Sequence, residues 1–223
     1  MRLHVVRAGS GSPPIVFVHG MGLSGSSWQG LMDRLAAKHQ VLALDLLGHG
    51  NSPVPDDPNE YTRDRALDDI DVLLAQLGEP AVLVGHSLGG YLALAHAATR
   101  PGVAKGVVVI NTGPGFRDPD KREAWNERSR RNSHRFAVPE IATNLNLQHD
   151  SVVMDHLAEM QVPTLVLVGD QDRPEFLGAG QHLERKMPHA TLVVLEGGDH
   201  LMHETTHVDR IAALIDGFAA GLG

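Results

Sequence analysis

The chain has 223 residues, 42% of them hydrophobic, with no cysteine and a formal net charge of -8. That length suits a single α/β domain burying roughly 70 to 75% of its unfolded surface, and the lack of thiols excludes disulfides and thiolate metal sites. The acidic balance opposes general nucleic-acid binding, which needs a basic surface for phosphate contacts.

Met1-Arg2-Leu3-His4 lacks the apolar core of a signal peptide, and no apolar run approaches the roughly 18 residues of a membrane span. The expectation is a cytoplasmic protein with no membrane partner. Short runs rich in Val, Ile and Leu alternate with longer segments of helical period, which predicts a mostly parallel sheet of about seven strands with helices on both faces. In chain order the elements are strands over 3–7 and 15–18, a helix over 27–38, a strand over 41–45, a helix over 62–77, a strand over 81–84, a helix over 88–100 and a strand over 106–110. After a long interval, 112–161, come a strand over 164–168, a helix over 174–186, a strand over 191–195 and a helix over 204–220.

Gly85-His86-Ser87-Leu88-Gly89-Gly90 sits where the strand over 81–84 gives way to a helix. A serine flanked by glycines at such a junction is presented on a sharp, strained turn, because bulky neighbours would clash there. A hydroxyl is a weak nucleophile until a histidine takes its proton and a carboxylate orients that histidine. Both residue types follow in order. The strand over 164–168 ends in Gly169-Asp170-Gln171-Asp172, and the strand over 191–195 ends in Glu196-Gly197-Gly198-Asp199-His200. They emerge at the carboxyl ends of strands, where sites form in open α/β sheets. Stabilising an oxyanion takes two backbone N–H groups, and the candidates are Leu88, just after the serine, and Met21 in the turn His19-Gly20-Met21-Gly22 that follows the strand over 15–18.

With these motifs the chain resembles the α/β-hydrolase superfamily of serine hydrolases. The stretch from Asp45 to Ser52 is similar to the family's D-x-x-G-x-G-x-S loop, and Gly169 to Asp172 and Gly197 to His200 match its G-x-x-D and G-x-x-H turns. The resemblance implies Ser87 as nucleophile, His200 as base and Asp172, two residues farther from the strand than Asp170, as the acid. It implies no cofactor and no metal, and a small-molecule substrate, a carboxylic ester or lactone first. Amide or C–C bond hydrolysis by the same residues is the alternative, and a ligand sensor without turnover is a more remote one. An aspartate nucleophile is excluded by the serine at the elbow. The family's first strand is expected to be missing, since only 3–7 precedes the strand at Ile15. The resemblance also implies that 112–161 is a small helical cap inserted into a core of 1–111 and 162–223.

Two other motifs compete for the same residues. Gly20-Met21-Gly22-Leu23-Ser24-Gly25, with Asp45 at the end of the next strand, is close to a dinucleotide-binding fingerprint. It leaves the Ser, Asp and His series unexplained. His203-Glu204-Thr205-Thr206-His207 reads as a zinc-binding H-E-x-x-H on the last helix. No histidine or glutamate lies downstream as a third ligand, so packing or capping is expected of His203 and Glu204.

His86 is expected to be packed and hydrogen-bonded, His19 to steady its turn, and Asp199 to face solvent. Gly20 and Trp125 are candidate substrate contacts, and Trp28 is a core or pocket aromatic. Between Arg117 and Arg135 seven basic residues stand against four acidic ones. The plain expectation is a solvated helix with Asp118 to Arg122 and Glu127 to Arg131 pairs. The sharper one is that one or two arginines point at the serine and hold a substrate carboxylate.

Overall fold

The computed structural model describes residues 3–223, and the part of the signal-peptide reading that rests on Met1 and Arg2 lies outside them. Seven strands form one sheet: β1 (Val5–Ala8), β2 (Ile15–Val18), β3 (Val41–Leu44), β4 (Val82–His86), β5 (Gly106–Ile110), β6 (Thr164–Gly169) and β7 (Ala190–Leu195). Their spatial order is β1-β3-β2-β4-β5-β6-β7. All neighbours are parallel except β1, which runs antiparallel to β3 with Val5 opposite Leu44. The run before Ile15 therefore closes the sheet edge. Four half-exposed residues suffice there, because an edge strand has a neighbour on one side only.

The helices are α1 (Gln29–Leu35), α2 (Arg63–Leu74), α3 (Leu88–Thr99), α4 (Pro119–Arg131), α5 (Val152–His156), α6 (Pro174–Lys186) and α7 (Val208–Ala220). Helix α6 has its expected bounds. Helix α1 is shorter than expected and is entered through a 3-10 turn at Gly25–Trp28. Helix α7 starts at Val208 rather than 204, because residues 200–207 form turns.

Period-two alternation along each strand splits the core into two layers. Val16, Leu42, Leu83, Val107 and Val166 face α2, α3 and α6, while Ile15, Val41, Val82, Val108 and Leu165 face α1 and α7. Strands buried on both faces explain the near-continuous Val, Ile and Leu runs in the sequence. The chain leaves β2 for β3 on one side and returns to β4 on the other. That reversal opens a crevice at the carboxyl ends of β2 and β4, the position where open α/β sheets bind ligands.

The interval between β5 and β6 holds α4, two 3-10 segments (Ser133–Arg135 and Glu140–Asn146) and α5. The buried Asn126 amide ties it together, donating to the Gln148 carbonyl and accepting from the Gln148 N–H, each at 2.8 Å. No helix among the described residues is long and apolar enough to cross a membrane.

Candidate active site

Ser87 lies between the last residue of β4 and the first of α3 with φ 50° and ψ -114°, in the left-handed half of φ space that side chains avoid. Bonds on both sides hold it there: its N–H donates to Ile110 O at 3.0 Å, and its carbonyl accepts from Thr112 Oγ1 at 2.6 Å. The turn closes only because glycine follows. A Cβ on Gly89 would stand 2.0 Å from the Val18 carbonyl oxygen, so helix α3 could not approach β2 with any other residue at that position.

Asp172 and His200 meet from the ends of β6 and β7. His200 Nδ1 is 2.6 Å from Asp172 Oδ2, and the carboxylate side chain is 4% exposed where the imidazole is 35% exposed. The candidate acid is thus shielded and the candidate base partly exposed. Asp170 has a different partner: its Oδ1 accepts from the Gly197 N–H at 2.8 Å, bracing the two loops. Asp199 is exposed and accepts from the Leu201 N–H.

Asn111, which had no signal in the sequence, ties this arrangement to the sheet. It is fully buried at the end of β5 with φ 49°. Its Nδ2 donates to the carbonyls of Asp199 (2.8 Å) and His200 (3.2 Å), and its Oδ1 accepts from the Gly169 N–H at 2.9 Å. One side chain therefore fixes the loop carrying Asp172 against the loop carrying His200. Asparagine tolerates positive φ better than most residues, and its amide can donate and accept at once.

A stack of rings backs His200. His86 Nε2 donates to the His200 carbonyl at 2.8 Å, and the His86 ring lies 4.7 Å from the His200 ring and 4.2 Å from that of His203. His203 in turn lies 4.6 Å from Trp28. Burial holds His86 well below the ordinary histidine pKa, and burial beside His200 lowers His203 to about 3, so both rings are neutral at physiological pH.

The turn after β2 approaches the same point. A Cβ on Gly20 would come 2.7 Å from His86 Nδ1 and 3.3 Å from Ser87 Cβ, so Gly20 borders the serine directly. His19, buried and lowered to about 3 chiefly by desolvation, donates from Nδ1 to Gly20 O and accepts the Leu46 N–H at Nε2. It pins the turn that carries the half-buried Met21.

Ser87 and Leu88 open onto a cavity of about 500 Å³ walled by Phe116, α4 and the start of α6. Trp125 lies on its wall with Nε1 donating to Asn146 O at 2.9 Å. Phe176, also on the wall, stacks 5.1 Å from the His200 ring. The two expected ion pairs on α4 are not made among the described residues. Asp118 instead caps the helix through the Asp120 and Lys121 N–H groups, and Arg122 donates to Phe116 O.

The rival motifs resolve into structural roles. Asp45 Oδ1 accepts from the Gly25 N–H (2.6 Å), and Oδ2 from the Asn51 N–H (2.7 Å) and faces His4 Nδ1 at 3.0 Å. The carboxylate is buried in these bonds and is not presented to a ribose. His203 and His207 sit on turns and not on one helix face. The first is buried against Trp28, and the second bonds Thr206 Oγ1 and Glu196 O. Among the described residues no group of three or more His, Asp or Glu side chains could hold a metal ion.

A parallel sheet with a strained serine after its central strand and a paired Asp and His after later ones defines the class, and residues 15–214 match the alpha/beta hydrolase family. The chain belongs to that family and is a hydrolase of its fold. It is 28% identical, over 99% of its length and 100% of the other protein, to a pimeloyl-[acyl-carrier protein] methyl ester esterase of Xanthomonas campestris pv. campestris. A stretch covering 54% of the chain is 36% identical to cis-3-alkyl-4-alkyloxetan-2-one decarboxylase of Shewanella oneidensis, but spans only 38% of that protein. Among solved structures, MenH from S. aureus superposes with a TM-score of 0.84 at 17% identity, covering 98% of both chains.

Two expectations follow from the buried groups. Asn111→Gly keeps the backbone conformation and loses the amide, whereas Asn111→Ala also adds about 1 kcal/mol of left-handed strain. Thermal unfolding should rank wild type above Gly above Ala, and a more stable Ala variant would contradict the role given to φ. For His203, the unfolded ring takes a proton near pH 6.5 and the folded ring only near about 3. Its contribution is complete above pH 6.5 and shrinks as pH falls, on the order of 1 kcal/mol per pH unit. His203→Phe should therefore flatten the fall in Tm between about pH 6 and pH 4, and an unchanged slope would show that other groups govern it.

Proposed function

We propose that this hydrolase cleaves small carboxylic esters or lactones through an acyl-enzyme, with Ser87, His200 and Asp172 as its triad. The observation that carries this reading is the 2.6 Å contact between His200 Nδ1 and the shielded Asp172 carboxylate, together with a serine held at φ 50° on the cavity wall. A carboxylate on Nδ1 sets the tautomer with a free Nε2, which is the one able to take a proton from a hydroxyl.

Ser87 Oγ attacks the carbonyl carbon while its proton passes to His200 Nε2. The charge that develops on the carbonyl oxygen is held by the backbone N–H groups of Met21 and Leu88, the latter at the start of α3. The tetrahedral adduct collapses, the C–O bond breaks, and His200 gives its proton to the departing alkoxide. Water deprotonated by His200 then attacks the acyl-serine, and a second collapse returns the serine and releases the acid. Residues 112–161 act in this reading as a cap over a core of 1–111 and 162–223, with Trp125 and Gly20 as substrate contacts. The α4 residues on the cavity wall support that division.

A fluorophosphonate probe should label Ser87 and nothing else. Ser87→Ala should abolish labelling and reduce ester turnover on the order of 10⁶-fold while the fold persists. Labelling at another residue, or full turnover by the variant, would end the nucleophile assignment.

The two loop carboxylates should separate sharply. Asp172→Asn leaves the imidazole in the wrong tautomer and should cost about 10⁴ in kcat. Asp170→Asn keeps an amide oxygen that can accept from the Gly197 N–H and loses only the charge, so it should cost little in kcat and act at most on thermal stability. Equal kinetic losses would move the orienting role away from Asp172.

A further inference from the structure

The face of α4 turned to the cavity carries Lys121, Ala124, Trp125, Arg128 and Arg131, at intervals of three and four residues. A helix face turned toward a cavity is ordinarily apolar. Here it is mostly cationic, while Asp120, Glu123 and Glu127 lie off it. Arg173, at the entry to α6, adds a fourth cation, and Glu175 is the one acidic residue on the wall.

None of these four cations makes an ion pair among the described residues. The contrast with other arginines is direct: Arg117 pairs with Asp155, Arg130 with Glu123 and Arg63 with Asp150. Two of the four are held by rings. The Arg128 guanidinium sits 5.0 Å from the Trp125 ring centre, and the Trp125 indole is anchored by Asn146 O. The Arg173 guanidinium sits 4.7 Å from the centre of Phe176, which stacks on His200. Stacking on a ring face leaves the in-plane N–H groups of a guanidinium free to donate. A cleft lined by one sign of charge also concentrates ligands of the other sign.

We infer that this cavity selects substrates bearing a free carboxylate, received by Arg128 and Arg173 with Lys121 and Arg131 adding to the field. The inference rests on the acyl-transfer reading of Ser87 and adds the substrate class to it. A short acid fits best, because Arg173 is separated from His200 by a single ring.

The test compares mono-p-nitrophenyl glutarate with p-nitrophenyl glutaramate, which differ in a terminal carboxylate against a neutral amide. The charged ester should show a kcat/KM about tenfold or more above the neutral one, the value of one charge-assisted hydrogen bond. The ratio should fall at high salt. Arg128→Gln and Arg173→Gln should each lower it several-fold, whereas Arg130→Gln, whose arginine is paired with Glu123, should not. A binding arm separates failure of this inference from failure of the acyl-transfer reading. Calorimetry of the Ser87→Ala protein should show monomethyl glutarate binding about tenfold more tightly than methyl glutaramate, again the scale of one such bond. That preference should weaken in the two glutamine variants. Equal affinities, or no binding of either compound, would overturn the carboxylate assignment even if Ser87 is labelled; absence of labelling would overturn the acyl-transfer reading instead.

Discussion

The close approach of α3 to β2 is the constraint on which the rest of the site hangs. Gly89 rests against the Val18 carbonyl, so the chain must turn within one residue, and that residue is Ser87 at φ 50°. A conformation of this kind costs on the order of 1 to 3 kcal/mol and persists only when the surroundings over-determine it. Here they do, since Ser87 bonds backbone and side chain at the end of β5 through Ile110 and Thr112. The same crowding brings the Gly20 turn to within contact of the serine, so the candidate nucleophile and both candidate oxyanion donors share one geometric cause.

The candidate acid and base depend on a second, polar tie. Asn111 reaches from β5 to the loops after β6 and β7, and the His86 ring supports His200 from behind. These groups are buried, so each bond forms in a low dielectric, where a missing partner costs more than a formed bond gains. The rings behind His200 stay neutral for the same reason: desolvation lowers His86 and His203, and a charge there would repel the imidazolium that the proposed mechanism creates. Stability at low pH is what this arrangement sacrifices.

Above the crevice the balance of forces differs. Helix α4 is attached through the Asn126 and Gln148 exchange and the Trp125 indole, while its cavity face keeps cations that form no ion pair among the described residues. These cations are solvent-exposed in the empty protein, and an anionic ligand of the kind inferred would exchange their hydration for charge-assisted hydrogen bonds.

Much of the fold and of the candidate site was legible in the sequence because its signals are local. Glycine spacing around Ser87, continuous apolar runs for buried strands and the order of Ser87, Asp172 and His200 depend on residues near one another in the chain. Tertiary structure alone decided what depends on distant partners. Asp170 and Asp172 look equivalent until the Gly197 N–H claims one and His200 faces the other. The helix expected from 204 starts at Val208, because His203 is drawn into a stack with Trp28 and His86 and the chain turns to place it there. The Asp118 to Arg122 pair gave way to a cap, since a side chain at the helix start has backbone N–H groups closer than any cation. Asn111 carries no motif at all. Its role exists only because three strand ends converge, and convergence is a property of the sheet rather than of any window of sequence.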